Sequence, residues 1–274
     1  MIDIGIDPVA LSLGPFELRW YGIMVVLAVV AVIGIALLEA KRTGFSQDHV
    51  YGVALWAIVG GIVVSRLFHV VDKWDYYVAH PAQIVDFSGL TVYGAVIGAV
   101  VAILIYGWVK KLSFWQIGDI AAPGAILGQA IGRIGCLING CCYGLRTSLP
   151  WAVVYAHPNS YAPLGQPMHP TQVYHLLWNL AAFAIIWQLR GRLKPQGSLF
   201  LTYLALYAVG DLGIRFLRVG EPFLFGIQQA QLIGIVMLLV TVPWLAVRMW
   251  RARARTAVSE PPGQVSPPER NQGA

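Results

Sequence analysis

The chain has 274 residues, of which 57% are hydrophobic and 12% charged, and its mean hydropathy is +0.65. Soluble domains carry about 25% charged residues, so this composition excludes an ordinary water-soluble enzyme and points to a polytopic protein of the bilayer. The formal net charge is +6, but the basic residues lie between apolar runs, which predicts no nucleic-acid partner.

In chain order, the first apolar run covers 18–38. No basic region precedes it and it is too long for a signal-peptide core, so it is expected to be a retained helix. Runs at 51–71, 90–109 and 117–138 follow. The stretch 141–169 is too polar to span and contains Pro150, Pro158, Pro163 and Pro167, with Pro170 just beyond. It is expected to form a small extracytoplasmic cap, with 151–155 as a short strand or an interfacial piece. Runs at 171–189, 198–217 and 227–247 complete the set. Each should be helical, because in lipid every backbone polar group must be paired inside its own segment. The expected fold is therefore an all-α membrane protein of about seven transmembrane helices. Residues 1–250 form the integral membrane domain, and 251–274 form a basic and then disordered tail, since 259–274 is rich in Pro, Glu, Gln and Gly. No internal repeat is evident. Trp20, Trp74, Trp115, Trp151 and Trp250 fall near run ends, where aromatic belts sit.

Charge placement predicts the orientation. Lys41 and Arg42 follow the first run, Lys110 and Lys111 the third, Arg190, Arg192 and Lys194 the fifth, and Arg248, Arg251, Arg253 and Arg255 the seventh. The alternate loops carry Asp72, Asp75, Asp86 and Glu221. By the positive-inside rule the N-terminus lies outside the cytoplasm and the C-terminus inside.

Four arginines remain within or at the ends of runs, all toward the outer side: Arg66, Arg133, Arg215 and Arg218. Such residues either snorkel to the interface or face a polar interior. Arg133 is set among glycines, and Arg215 lies four residues after Asp211 on one helix face. Guanidinium matches phosphate bidentately, and the abundant phosphate of a membrane is a lipid head group. Polar residues gather on the same side. His169-Pro170-Thr171-Gln172-Val173-Tyr174 opens the fifth run, Tyr21 lies at the outer end of the first, and Tyr93 near the outer end of the third. Gly94 and Gly98 form a small-xxx-small face for close helix contact.

All three cysteines, Cys136, Cys141 and Cys142, fall within seven residues. That is no disulfide framework. Their spacing is not that of a structural zinc site and a vicinal disulfide would be strained. A metal site, a redox pair and simple packing are the three readings, with packing the default for Cys136 and no metal expected.

The stretch 132–144, G-R-I-G-C-L-I-N-G-C-C-Y-G, resembles the signature of the prolipoprotein diacylglyceryl transferase family, keeping Gly132, Arg133, Gly135, Asn139, Gly140 and Gly144. G-P-F-E-L-R-W-Y-G at 14–22 is similar to that family's first helix. H-P-T-Q-V-Y at 169–174 is similar to its H-P-[ST]-Q-x-Y block, and R-F-L-R at 215–218 to its E-F-x-R block, with Tyr207 at an upstream tyrosine. The resemblance implies transfer of the diacylglyceryl group of phosphatidylglycerol to the lipobox cysteine of a preprolipoprotein signal peptide, in the bacterial cytoplasmic (inner) membrane, with no cofactor. It implies catalytic roles for Arg133, Tyr93, Arg215 and Tyr21. It also implies lipid binding by Arg133, Asn139, Gly144, Gln172, Arg66 and Arg218.

The chain departs from the family pattern at three places. Tyr93 stands where the family often has histidine, a candidate proton acceptor. Cys136 and Cys141 replace an asparagine and a glutamate. The Asp211–Arg215 pair reverses the family's Arg-then-Glu order. A lipid or anion transporter, a lipid-binding membrane protein and an altered or inactive family member remain the alternatives. The absence of a repeat speaks against the transporter.

Overall fold

The computed structural model describes residues 1–14, 16–85 and 91–259. Asp86, Leu90 and the segment expected to be disordered beyond Ser259 lie outside the described residues. The seven expected runs all form helices, which we label α1 (Trp20–Thr43), α2 (Gln47–Asp72), α4 (Val92–Val109), α5 (Phe114–Asn139), α6 (Thr171–Leu189), α7 (Ser198–Arg215) and α8 (Gln229–Ser259), with a short α3 (Trp74–Ala79) between α2 and α4. Among the described residues, five of these are long and apolar enough to cross a membrane: α1, α2, α4, α5 and α8. α6 and α7 are helical but more polar, because they carry Gln172, His175, Asn179 and Asp211 on buried faces.

Helix ends differ from the expected runs for local reasons. α1 starts at Trp20 because the residues before it are extended: β3 (Phe16–Arg19) pairs antiparallel with β2 (Val9–Leu13). α1 stops where Gly44 adopts φ 71°, a left-handed conformation that glycine takes without a Cβ penalty. α8 runs on through Arg248 and Arg251 into the basic segment, whose Ala and Arg residues are strong helix formers.

The helices pair through small residues. α2 meets α4 along a glycine seam. A Cβ on Gly94 would lie 2.7 Å from Ser65 Cα, and one on Gly98 would collide with the Gly60 carbonyl. This bears out the close contact expected of Gly94 and Gly98. Ser65 Oγ donates to the Thr91 carbonyl at 2.8 Å and Thr91 Oγ1 to the Ser65 carbonyl at 3.2 Å, so the seam's hydroxyls are paired. α5 packs on α1 in the same way, with Gly124 against the Val32 carbonyl and Gly135 against Met24 and Tyr21. α5 also contacts α6 and α7, which makes it the centre of the bundle.

At the basic end, buried Glu39 (1% exposed) accepts from Arg42 at 2.6 Å and from Arg190 at 2.8 Å, joining the ends of α1 and α6. The Asp119 carboxylate of α5 accepts the Gly197 and Phe200 amides at 2.6 and 2.9 Å, capping the start of α7 where orphan amides and the helix dipole favour an anion.

The opposite end carries a β-rich cap. β4 (Val153–Tyr155) pairs parallel with the N-terminal β1 (Ile2–Ile4), which settles the 151–155 stretch as partly strand. Met168 bridges Val153, and Val153, Tyr155, Ala162 and Met168 form a small apolar core. The cap draws in more than 141–169. The N-terminal β1 joins it, as does the segment after α7, where the Val219 amide donates to the Tyr143 carbonyl at 3.2 Å; a hairpin of β5 (Pro222–Leu224) and β6 (Ile227–Gln228) follows.

Candidate active site

The last turn of α5 sets the site. Gly140 takes φ 71°, its amide donates to the Leu137 carbonyl at 3.3 Å and the Cys141 amide to the Cys136 carbonyl at 3.2 Å. This Schellman-type close turns the chain back over the helix end. The 169–174 block then pins the returning strand. Gln172 Nε2 donates to the Cys141 carbonyl at 2.8 Å and Thr171 Oγ1 to the Cys142 carbonyl at 2.7 Å. Gln172 also donates to the Tyr155 hydroxyl at 3.2 Å, which itself donates to the Leu137 carbonyl at 3.0 Å. Burial pushes the Tyr155 phenol above its ordinary range, so it stays a donor. At the block's edges, the Tyr174 hydroxyl accepts from Trp151 Nε1 at 2.9 Å and lies 3.3 Å from His169 Nδ1.

Gly144 docks the next step of this strand. Its amide donates to the His169 carbonyl and it bridges Arg218. A Cβ there would lie 2.5 Å from His169 Cβ and 2.7 Å from the Leu217 carbonyl, so only glycine fits. Asn139 is buried and accepts from Arg19 at 3.2 Å; the Arg19 guanidinium also stacks 4.7 Å from the Tyr161 ring centre.

Three guanidiniums converge beyond this turn. Arg133 of α5 and Arg215 and Arg218 at the end of α7 all act electrostatically on His175 and on Tyr207. Arg133 and Arg218 also reach Cys142, and Arg133 reaches Tyr21. The Cys142 thiol is held well below its ordinary value by hydrogen bonds from Cys136 and Cys141 and by the Arg218 and Arg133 charges. Arg215 Nε donates to Asp211 Oδ2 at 2.6 Å, so an ion pair forms in the reversed order that the sequence carries. His175 Nε2 lies 3.8 Å from Asp211 Oδ1, with the two residues 1% and 5% exposed. One carboxylate against three guanidiniums leaves the pocket positive, as an anion site requires.

The polar atoms left over point the same way. Among the described residues, Gln129 Oε1, Gln172 Oε1, His175 Nε2, Asn179 Nδ2, Asp211 Oδ1 and Arg218 Nε are buried without a hydrogen-bond partner. Native interiors leave few such atoms. They sit on α5, α6, α7 and the residues just after α7, with hydrogen-bonding capacity that a ligand or water would satisfy.

Of the residues singled out from the sequence, the structure brings Arg133, Arg215, Arg218, Tyr21, Asn139, Gly144 and Gln172 to one end of the bundle. Gln172 faces the backbone of the turn. Tyr93 and Arg66 lie elsewhere, on the α2–α4 side. Tyr93 is 48% exposed in the first turn of α4, and no hydrogen bond or ion pair joins it to the arginines among the described residues. Arg66 donates to the Ile84 carbonyl at 3.0 Å and lies 5.1 Å over the Tyr77 ring. The sequence reading missed His175 and Arg19. His175 was signalled by the i, i+3, i+7 stripe of Gln172, His175 and Asn179 along an apolar run. Arg19 was signalled by its place in the 14–22 block, which resembles the family's first helix.

Comparison with known proteins identifies the family. The family model for prolipoprotein diacylglyceryl transferase matches residues 8–247. A Dehalococcoides mccartyi phosphatidylglycerol–prolipoprotein diacylglyceryl transferase is 41% identical over 249 residues, covering 90% of this chain and 96% of the relative. The transferase of the same name from Trichormus variabilis is 35% identical, covering 88% and 90%, and that from Clostridioides difficile 34%, covering 84% and 90%. The chain spans a membrane several times and belongs to the prolipoprotein diacylglyceryl transferase family.

Proposed function

We infer that this chain carries out the first step of lipoprotein maturation, transferring the diacylglyceryl group of phosphatidylglycerol to a prolipoprotein. The acceptor is the thiol of the lipobox cysteine, presented by a signal peptide still in the bilayer. The membrane is the bacterial cytoplasmic membrane, crossed seven times with the N-terminus outside and the basic end in the cytoplasm. The observation that carries this reading is the convergence of Arg133, Arg215 and Arg218 on a buried polar space with one compensating carboxylate.

The chemistry follows from that charge. The acceptor thiol releases its proton, finally to water, and its thiolate attacks the diacylglyceryl carbon bonded to the phosphate oxygen. A carbon–sulfur bond forms, the carbon–oxygen bond breaks, and glycerol phosphate leaves as an anion. Negative charge grows on the leaving phosphate in the transition state, where pre-oriented guanidinium donors stabilise it most. Arg133 is the principal phosphate ligand and Arg218, with its buried unpartnered Nε, the second. Asp211 holds Arg215 in place. Asn139, Gly144 and Gln172 fix the turn that carries the donors, and Tyr21 borders the pocket. Arg66 enters as an outer lipid-binding charge on its placement in the sequence alone, and Tyr93 as the proton relay on the resemblance alone.

The test uses purified protein, labelled phosphatidylglycerol and a lipobox peptide. Transfer of label to the peptide cysteine is expected. No transfer alongside an active control enzyme overturns the reading, as does label transfer to a peptide whose lipobox cysteine is replaced by serine.

A further inference from the structure

Three thiols lie side by side in space. Cys136 belongs to the last turn of α5, while Cys141 and Cys142 follow its closing glycine. Their sulfurs all lie within 4.8 Å of one another, and none is in a disulfide. The sequence argued against a metal because the spacing is not that of a structural zinc site and no nearby histidine completes one. The turn nonetheless gathers the three sulfurs. Gly140 at φ 71° reverses the chain, and Cys142 itself sits at φ 64°. A non-glycine residue in that region costs on the order of 1–3 kcal/mol and persists only where its surroundings impose it. Here they do, through the bonds from Thr171 to the Cys142 carbonyl and from Gln172 to the Cys141 carbonyl. The chain is held in a costly conformation that carries the third sulfur to the other two.

The donor set selects the ligand. Among the described residues the group holds three sulfurs and neither imidazole nor carboxylate. Thiolates favour soft cations. Structural zinc closes a tetrahedron of four donors, which this group does not provide. Cys136 is buried, while Cys141 and Cys142 are partly exposed, so one side of the group is open to an entering ion. Arg133 and Arg218 act on Cys142 from the side. Three thiolates around a monovalent cation carry two negative charges, which two guanidiniums balance.

We propose that Cys136, Cys141 and Cys142 form a trigonal three-thiolate site for a soft monovalent metal cation of the Cu(I) class. Loading displaces the thiol protons to solvent and changes no oxidation state. The site shares Arg133 and Arg218 with the phosphate pocket but is read by copper binding rather than by lipid transfer, so the failure of either reading is seen separately.

The test titrates the full chain, purified in detergent and reduced under anaerobic conditions, with Cu(I) against bicinchoninate as a coloured competitor. One equivalent should be withdrawn from the chelator, and X-ray absorption of the loaded protein should find three sulfur neighbours. C136S and C142S should each weaken binding by at least the order of 10-fold, with thermal melting checking that the variants fold. On the unaltered chain, Cu(I) loading should protect all three thiols from a maleimide. The proposal is overturned if no copper is withdrawn, if withdrawal survives serine at all three positions, or if absorption finds two sulfurs. Unprotected thiols in the loaded protein, or Zn²⁺ displacing Cu(I) in direct competition, overturn it equally.

Discussion

The α2–α4 pair and the α5–α6–α7 group are both helix contacts in an apolar chain, yet they handle polar atoms in opposite ways. Between α2 and α4, Gly60, Gly94 and Gly98 let the backbones touch, and Ser65 and Thr91 pair off each other's carbonyls. Between α5, α6 and α7, buried atoms of Gln172, His175, Asn179, Asp211 and Arg218 are left unpartnered beside three guanidiniums. Packing in lipid rewards close backbone approach and paired hydroxyls, so the first contact explains itself as structure. The second contact is costly as structure, which marks it as a place prepared for a ligand.

Several substitutions separate the two regions. The largest effect is expected from R133A, which should lower lipid transfer by roughly 10²–10³-fold through lost stabilisation of the leaving phosphate, while melting stays near that of the parent. D211N comes next. It leaves Arg215 without its charge partner at 2.6 Å and should cost about 3 kcal/mol in a denaturation series, with lower transfer per folded molecule. G98V drives a branched side chain into the Gly60 carbonyl and should cost about 2 kcal/mol, with transfer per folded molecule retained. A folded but inactive G98V, or a fully active R133A, would break the division between a structural pair and a chemical group.

The smallest expected effect lies in the cap. The Asp7 carboxylate accepts the Val9 amide at 2.9 Å and Asn159 Nδ2 at 3.1 Å, which holds it below the ordinary carboxylate range. A depressed carboxyl contributes stability above its unfolded value near 3.8 and loses it as pH falls through the lower folded value. Acidification below about 4 should therefore loosen the N-terminal strap, read as faster proteolysis of the first residues, and D7N should flatten that dependence.

Much of the fold was legible in the sequence. The apolar runs became helices, and 132–144 marked the site because arginine, asparagine and clustered glycines have no cheap reason to close an apolar run. The N-terminal strands were not legible, since β1 finds its partner about 150 residues away in β4. The sequence paired Asp211 with Arg215 but gave no role to His175, which α6 brings within 3.8 Å of Asp211. Tyr93 shows the reverse case: its sequence context suggested the site, and its position in the first turn of α4 leaves it half exposed, with no hydrogen bond to the arginines among the described residues.

What the sequence determined by itself is local. In lipid a segment must satisfy its own backbone, so twenty apolar residues dictate a helix, and basic residues between segments dictate which ends gather. What only the tertiary structure decided is which side chains meet. That depends on how glycine contacts rotate and seat each helix, and on the left-handed turn at Gly140, which folds Cys141 and Cys142 back over Cys136. Neither is written in hydropathy or spacing, because both are set by contacts between segments far apart in the chain.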